Sequence, residues 1–267
     1  MNPKRIGVGG ALALAAGMAF APSSALADIT GSLGFENAET SAAGVTPVNG
    51  GAVGSQFLST TGMAFGIDAN LDGVFDAGVT PVLSQVGWQS NIPENDVQDA
   101  YWSQINGDFD SARPGFEGQL GDWFLRTKTT VEPEPGPLLV LFDVPVYMAS
   151  GEIWDIDGLP DEESIYFGTE QFLVSALDAG GNVIDTILSP LGASDDPEQS
   201  LDSAPWTWTF THGTDDIHGV RIEFVGQREL GAGYGYDNFA WASTVPAPST
   251  LAPLAALGLG GMRRRRR

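Results

Sequence analysis

Between Asp28 and Thr244 no apolar stripe repeats at the helical period of about 3.6 residues. Apolar residues alternate with polar ones in short runs, and each run is closed by Gly, Pro, Asp or Asn. Side chains two apart share one face of a strand, so each run has a side to bury and a side to wet. The longest and most apolar run, residues 137–148 (PLLVLFDVPVYM), reads as a central strand with an irregularity at Pro145, which has no ladder donor. Residues 171–177 and 183–188 flank Asp178-Ala179-Gly180-Gly181-Asn182 and read as a hairpin. Further strands are expected at 29–35, 55–59, 123–130, 206–210, 220–225 and 236–242, and a short helix at 96–105. Many short strands separated by turns predict an all-β chain with one antiparallel β-sandwich or jelly roll over residues 28–244. The Pro/Glu stretch 132–137 reads as a loop within it, because the strands before it are too few to close a core.

Charge narrows the partners. Of 12 basic residues seven lie at the chain ends, leaving Arg113, Arg126, Lys128, Arg221 and Arg228 against all 34 acids, an interior net of −29. That field repels nucleic acid and anionic lipid, and favours solubility, divalent cations or an extracellular matrix. The absence of Cys excludes a disulfide scaffold, a thiol nucleophile and a thiolate metal site.

Both ends read as sorting signals. Residues 1–27 open with Lys4 and Arg5, continue through a small-residue apolar stretch and end at Ala25-Leu26-Ala27, a signal-peptidase site that predicts cleavage after Ala27. At the other end, Val245-Pro246-Ala247-Pro248-Ser249-Thr250 precedes an apolar segment, 251–262, and five terminal arginines. Twelve residues at 1.5 Å each reach about 18 Å, short of a hydrocarbon core of ~30 Å, so a transient membrane handle is expected. The arginines hold that end on the cytoplasmic side.

In order and position, residues 245–267 resemble the PEP-CTERM sorting signal of Gram-negative bacteria, in which a Val-Pro-Glu-Pro-like motif precedes a short membrane segment and an Arg cluster. The resemblance implies processing by an exosortase-type transpeptidase near Val245, Pro246 and Pro248. It also implies a place at the cell surface or in extracellular polysaccharide and biofilm. Ala247 departs from the family's usual Glu. The segments 153–158, 174–183 and 236–239 resemble jelly-roll bodies of carbohydrate-binding modules.

The interior offers few sites for chemistry. Asp68-Ala69-Asn70-Leu71-Asp72-Gly73-Val74-Phe75-Asp76 carries oxygen side chains at positions 1, 3, 5 and 9 and Gly at 6, the front of a calcium loop, with Val79 where a bidentate acid belongs. The same spacing also suits a solvated Asp/Gly turn. Glu36 and Asp237 form a second expectation, since the jelly-roll resemblance implies a structural Ca²⁺ between the first and last strands. Asp155 and Asp157 share a strand face near Glu162 and Glu163. Trp206, Trp208 and Phe210 also share one face, which fits a platform for sugar rings or a stripe of the sandwich core. No G-x-S-x-G elbow occurs, His212 and His218 lie in a Gly/Asp region, and Gly231–Gly235 leads into a strand, not a phosphate-binding helix.

The sequence thus predicts an exported surface or matrix protein with a non-catalytic structural or carbohydrate-binding domain stabilised by calcium. Its expected partners are signal peptidase, an exosortase-type enzyme and extracellular polysaccharide. The rival is a secreted glycan-active hydrolase or lyase.

Overall fold

In the computed structural model the described residues are 26–86, 112–113, 115–127, 135–159, 168–192, 204–227 and 234–246. The strands are β1 (Leu26–Leu33), β2 (Met63–Ile67), β3 (Val82–Gln85), β4 (Trp123–Arg126), β5 (Leu138–Val146), β6 (Met148–Trp154), β7 (Gly158–Leu159), β8 (Gly168–Thr169), β9 (Phe172–Leu177), β10 (Val183–Leu188), β11 (Trp206–Thr211), β12 (Ile217–Phe224) and β13 (Gly235–Pro246). Three short helices join them: α1 (Asn37–Ala42), α2 (Leu58–Thr61) and α3 (Glu117–Leu120). One sheet runs β11-β6-β13-β4-β3, with β1 also on β13; the other runs β10-β9-β12-β5-β2, and β7-β8 is a small ribbon. The pairings within the two large sheets that fix their order are antiparallel. The architecture is the expected β-sandwich, and residues Asp28–Val245 form one compact unit.

The core lies between the inner faces of the two sheets. Phe35, Phe57, Phe65 and Phe239 meet edge-on or tilted at 5.2–6.2 Å, and Phe172 packs against Phe224, Tyr234 and Tyr236. Aromatic edges against faces add to the burial of large rings. The alternation on β11 has the consequence expected of a core stripe: Trp208 and Phe210 are fully buried, while Thr207, Thr209 and Thr211 face solvent. Trp208 pairs across the ladder with Gly151, and a Cβ at Gly151 would stand 2.7 Å from the Trp208 ring. Glycine there makes room for the indole.

Several local expectations change. Residues 55–59 contribute to a helical turn, not a strand, because the Thr60 and Thr61 hydroxyls donate back to the Phe57 carbonyl at 3.2 and 3.0 Å. Gly62 at φ +73 ends that turn. Residues 137–148 do not form one strand: β5 runs on through Pro145, near which its pairing with β12 shifts register, to Val146, and after Tyr147 the chain continues as β6 in the opposite sheet. The strand β2 (MAFGI) is buried at every position and carries no alternation to detect. The hairpin β9-β10 is as expected. The Asp178 carboxylate accepts the Gly180 and Asn182 amides at 2.8 and 2.9 Å. The Asn182 side-chain amide, donating to both oxygens, and then these two backbone bonds hold the Asp178 carboxyl below its usual range. The expected helix at 96–105 lies outside the described residues.

Candidate functional site

The outer face of the first sheet carries the most unusual electrostatics in the molecule. On β6 and β13, Glu152 and Asp237 are directly opposite in the ladder. Side chains opposite one another project to the same face, and like charges placed so repel. Both are buried, Asp237 to 1% exposure and Glu152 to 8%. A one-residue bulge follows, because Asp237 pairs with Glu152 but Ala240 pairs with Ser150. Within it Asn238 takes a positive φ of 51°, tolerated by Asn better than by most residues.

Two segments cover this pair. The first leads into α1. Glu39 Oε2 accepts the amides of Gly34 and Glu36 at 2.8 and 3.1 Å, which folds the chain over the sheet. The second contains α3 and Asp122. The Asp122 amide donates to both Glu36 oxygens at 3.0 and 3.3 Å, and Gln119 Nε2 donates to Glu152 Oε1 at 2.5 Å. Asn238 Nδ2 joins the second cover to the sheet, donating to Glu152 Oε2 and to the Gln119 carbonyl at 2.8 Å each. Its Oδ1 faces Gly34: a Cβ there would lie 3.1 Å from that oxygen and 3.7 Å from Asp237 Oδ1.

Neither oxygen of Asp237 has a hydrogen-bond partner, an exception among buried carboxylates. Burial raises its carboxyl well above the usual range, and the charges of Glu152, Glu36 and Glu39 raise it further; the Asn238 amide lies near enough to oppose the shift but forms no bond of normal geometry. The Glu36 carboxyl is raised for the same first reason, burial, with Asp122 and Glu39 adding to it against the amides of Asp122 and Trp123. Four carboxylates are therefore held in one oxygen-rich region with no described cationic side chain bonded to them. Among the described residues no three of these acids already converge on a single point at metal-bonding distance. Sequence reasoning named Glu36 and Asp237 but missed Glu39, Glu152 and Asn238. Glu39 carried a detectable signal, the three-residue spacing of a capping box from Glu36; Glu152 had none, because only the register places it opposite Asp237.

The Asp68–Asp76 loop lies elsewhere, across the outer face of the second sheet, where Phe75 packs against the Cα of Gly66 on β2. Asp68 is fully buried. Its oxygens accept the Asp72 and Gly73 amides at 2.9 and 3.0 Å, and Oδ2 lies 3.4 Å from Arg221 Nη1 on β12. Asn70 and Asp72 accept the amides of Asp72 and Val74, and Asp76 accepts that of Ala69. A positive charge for this loop is thus supplied by the protein itself.

The remaining expected sites are dispersed. Trp208 lies in the core, beyond reach of a sugar ring, and Trp206 is half-buried against the same cluster. Asp155 and Asp157 are buried beside β7, with Asp155 at φ +68, while Glu162 and Glu163 lie outside the described residues. His212 links three elements: Nδ1 is 2.6 Å from Asp216 and Nε2 is 3.5 Å from Asp185 on β10. The backbone of Ala27 ends up in β1 and those of Val245 and Pro246 in β13, while Pro248 lies outside the described residues.

No family model and no curated protein matches the sequence. Among solved structures, the chain is similar to the CBM22-1 xylan-binding domain of Paenibacillus barcinonensis Xyn10C at 13% identity, covering 70% of this chain and 88% of that domain with a TM-score of 0.27. It is also similar to a cyclase from Fischerella sp. TAU at 14% identity, covering 82% and 99% with a TM-score of 0.37. Similarities this remote leave function to be argued from the site.

Proposed function

We propose that this chain is an exported, non-catalytic β-sandwich module of structural or carbohydrate-binding type, with Ca²⁺ fastening its first covering segment to its last strand. The observation that carries the calcium reading is the buried Asp237 carboxylate, without a hydrogen-bond partner and facing Glu152 across the ladder. A buried charge with no partner is costly, and a like-charged neighbour makes it worse. A hard dication reverses both penalties, and Ca²⁺ takes about six to eight oxygens in loosely defined geometry. Asp237 and Glu36 would hold it, with Glu39, Glu152 and Asn238 Oδ1 as the neighbouring oxygen donors. When bound, the ion supplies charge neutralisation and a cross-link between segments far apart in sequence.

Export and surface placement are supported by the two terminal signals read in the sequence. The acidic interior is consistent with an extracellular setting.

The calcium reading is tested by thermal melting of chelator-treated protein with and without added Ca²⁺. Saturation at a hundred times Kd stabilises by about 2.7 kcal/mol, or ~5–11 °C for a domain of this size. Asp237→Asn should abolish the calcium response without lowering the metal-free melting point, since the amide can donate to the surrounding carboxylates. Melting that ignores both chelator and Ca²⁺ overturns the proposal.

A further inference from the structure

At one end of the sandwich the 68–76 loop meets β12 and the start of β13 around a depression of about 190 Å³. Ile222, Phe224, Tyr234, Tyr236, Pro137 and Leu71 line it, and Glu223 is the charged residue among its described lining residues. We infer that this depression is a binding subsite for a single neutral or basic pyranose ring of a glycan.

The inference rests on the carbohydrate-binding reading above and deepens it. Three features favour a ligand over a packing irregularity. The aromatic wall is pre-organised: Phe224 and Tyr234 are stacked at 13° with centroids 5.9 Å apart, and Phe172 butts edge-on against Tyr234 at 4.7 Å from behind. Phe224 remains partly exposed, while Tyr234 is buried and supports it from within.

Leu71, another lining residue, is held in a costly conformation. Leu71 sits at φ +63 and is 45% exposed, two features that disfavour a leucine at that position. It is kept there by Arg221, whose Nη1 donates to the Leu71 carbonyl at 3.2 Å while pairing with Asp68. A strained backbone over-determined by a buried ion pair is characteristic of binding sites. The Asp-rich loop thereby acquires a role: it contributes Ala69 and Leu71 to the lining, and Arg221 anchors it to β12.

The lining also suits a sugar. Apolar side chains would meet the C–H side of a ring, and Glu223 is the described lining residue able to accept its hydroxyls, the usual mixture of apolar surface and few polar groups. Glu223 and the acidity of the chain reject uronic, sulfated and phosphorylated sugars and admit neutral or amino sugars.

The test is saturation-transfer NMR and affinity electrophoresis of the calcium-loaded, full-length domain against glucose, galactose, mannose, xylose and glucosamine, and against soluble neutral polysaccharides. Wild type should bind at least one of these. Phe224→Ala should weaken that binding at least tenfold and Glu223→Gln several-fold, with uronic acids binding nowhere. Glu223→Gln is half-exposed and preserves shape, so it remains informative if Phe224→Ala fails to fold. Wild-type binding by every folded variant overturns the assignment of this subsite and leaves the carbohydrate reading standing. No binding by wild type to any probe overturns both, while the calcium response is judged separately by melting.

Discussion

Replacing Asp68 with alanine strands the Arg221 guanidinium beneath the 68–76 loop. Arg221 is 7% exposed and Asp68 is fully buried, so water replaces neither partner. Removing one member of a buried pair costs about 3–5 kcal/mol, because the survivor keeps its charge and loses its counter-ion. The separation of 3.4 Å is long, and Arg221 retains the Leu71 carbonyl at 3.2 Å, which points to the lower end of that range. The Gly73 amide also loses its acceptor, while the Asp72 amide keeps Asn70 Oδ1. Near neutral pH the expected loss is about 3 kcal/mol, or ~6–12 °C in melting temperature for a domain of this size. The assay is thermal denaturation by circular dichroism, run in chelator and again in Ca²⁺; the loss should be equal in both, since the loop's cation is Arg221. Adding Arg221→Met should recover part of it, because an apolar replacement for the stranded charge is often tolerated. A melting point within about 2 °C of wild type, or a double variant whose loss is the sum of the two single losses, refutes the reasoning.

Asp237 predicts a dependence of stability on pH. Its folded-state pKa is raised, so its contribution to the stability of the metal-free protein is full below the ordinary carboxylate range and is lost as pH rises toward the raised value; melting curves in chelator should show this component, and Asp237→Asn should remove it. Trp208→Ala removes a fully buried indole and should cost about 3–5 kcal/mol by denaturant titration, whereas the half-buried Trp206→Ala should cost nearer 1 kcal/mol. The Asp216 carboxyl is held low chiefly by its hydrogen bond to His212, so its contribution is present above the unfolded carboxylate range and lost as pH falls through the depressed value. His212→Gln should move the Asp216 titration upward by NMR.

What the sequence determined by itself is what depends on neighbours along the chain. Period-two alternation at Trp206–Thr211 and the Asp178–Asn182 turn specify strand and hairpin locally, because side-chain direction and backbone chirality act over a few residues. Interior acidity, likewise a sum over composition, constrains partners before any fold forms. The strands without alternation, β2 with every position buried and β6 with its small residues, were illegible because burial on both faces erases the pattern. The metal-loop spacing at Asp68 was legible, but the buried Arg221 opposite it was not, since a guanidinium 153 residues later reaches the loop only through the order of strands. The same holds for Glu152. Its place beside Asp237 is set by ladder register and by a single extra residue in β13, and no local preference encodes which carboxylates a register will force together. Tertiary structure alone decided where like charges meet, because only folding converts distance along the chain into distance in space.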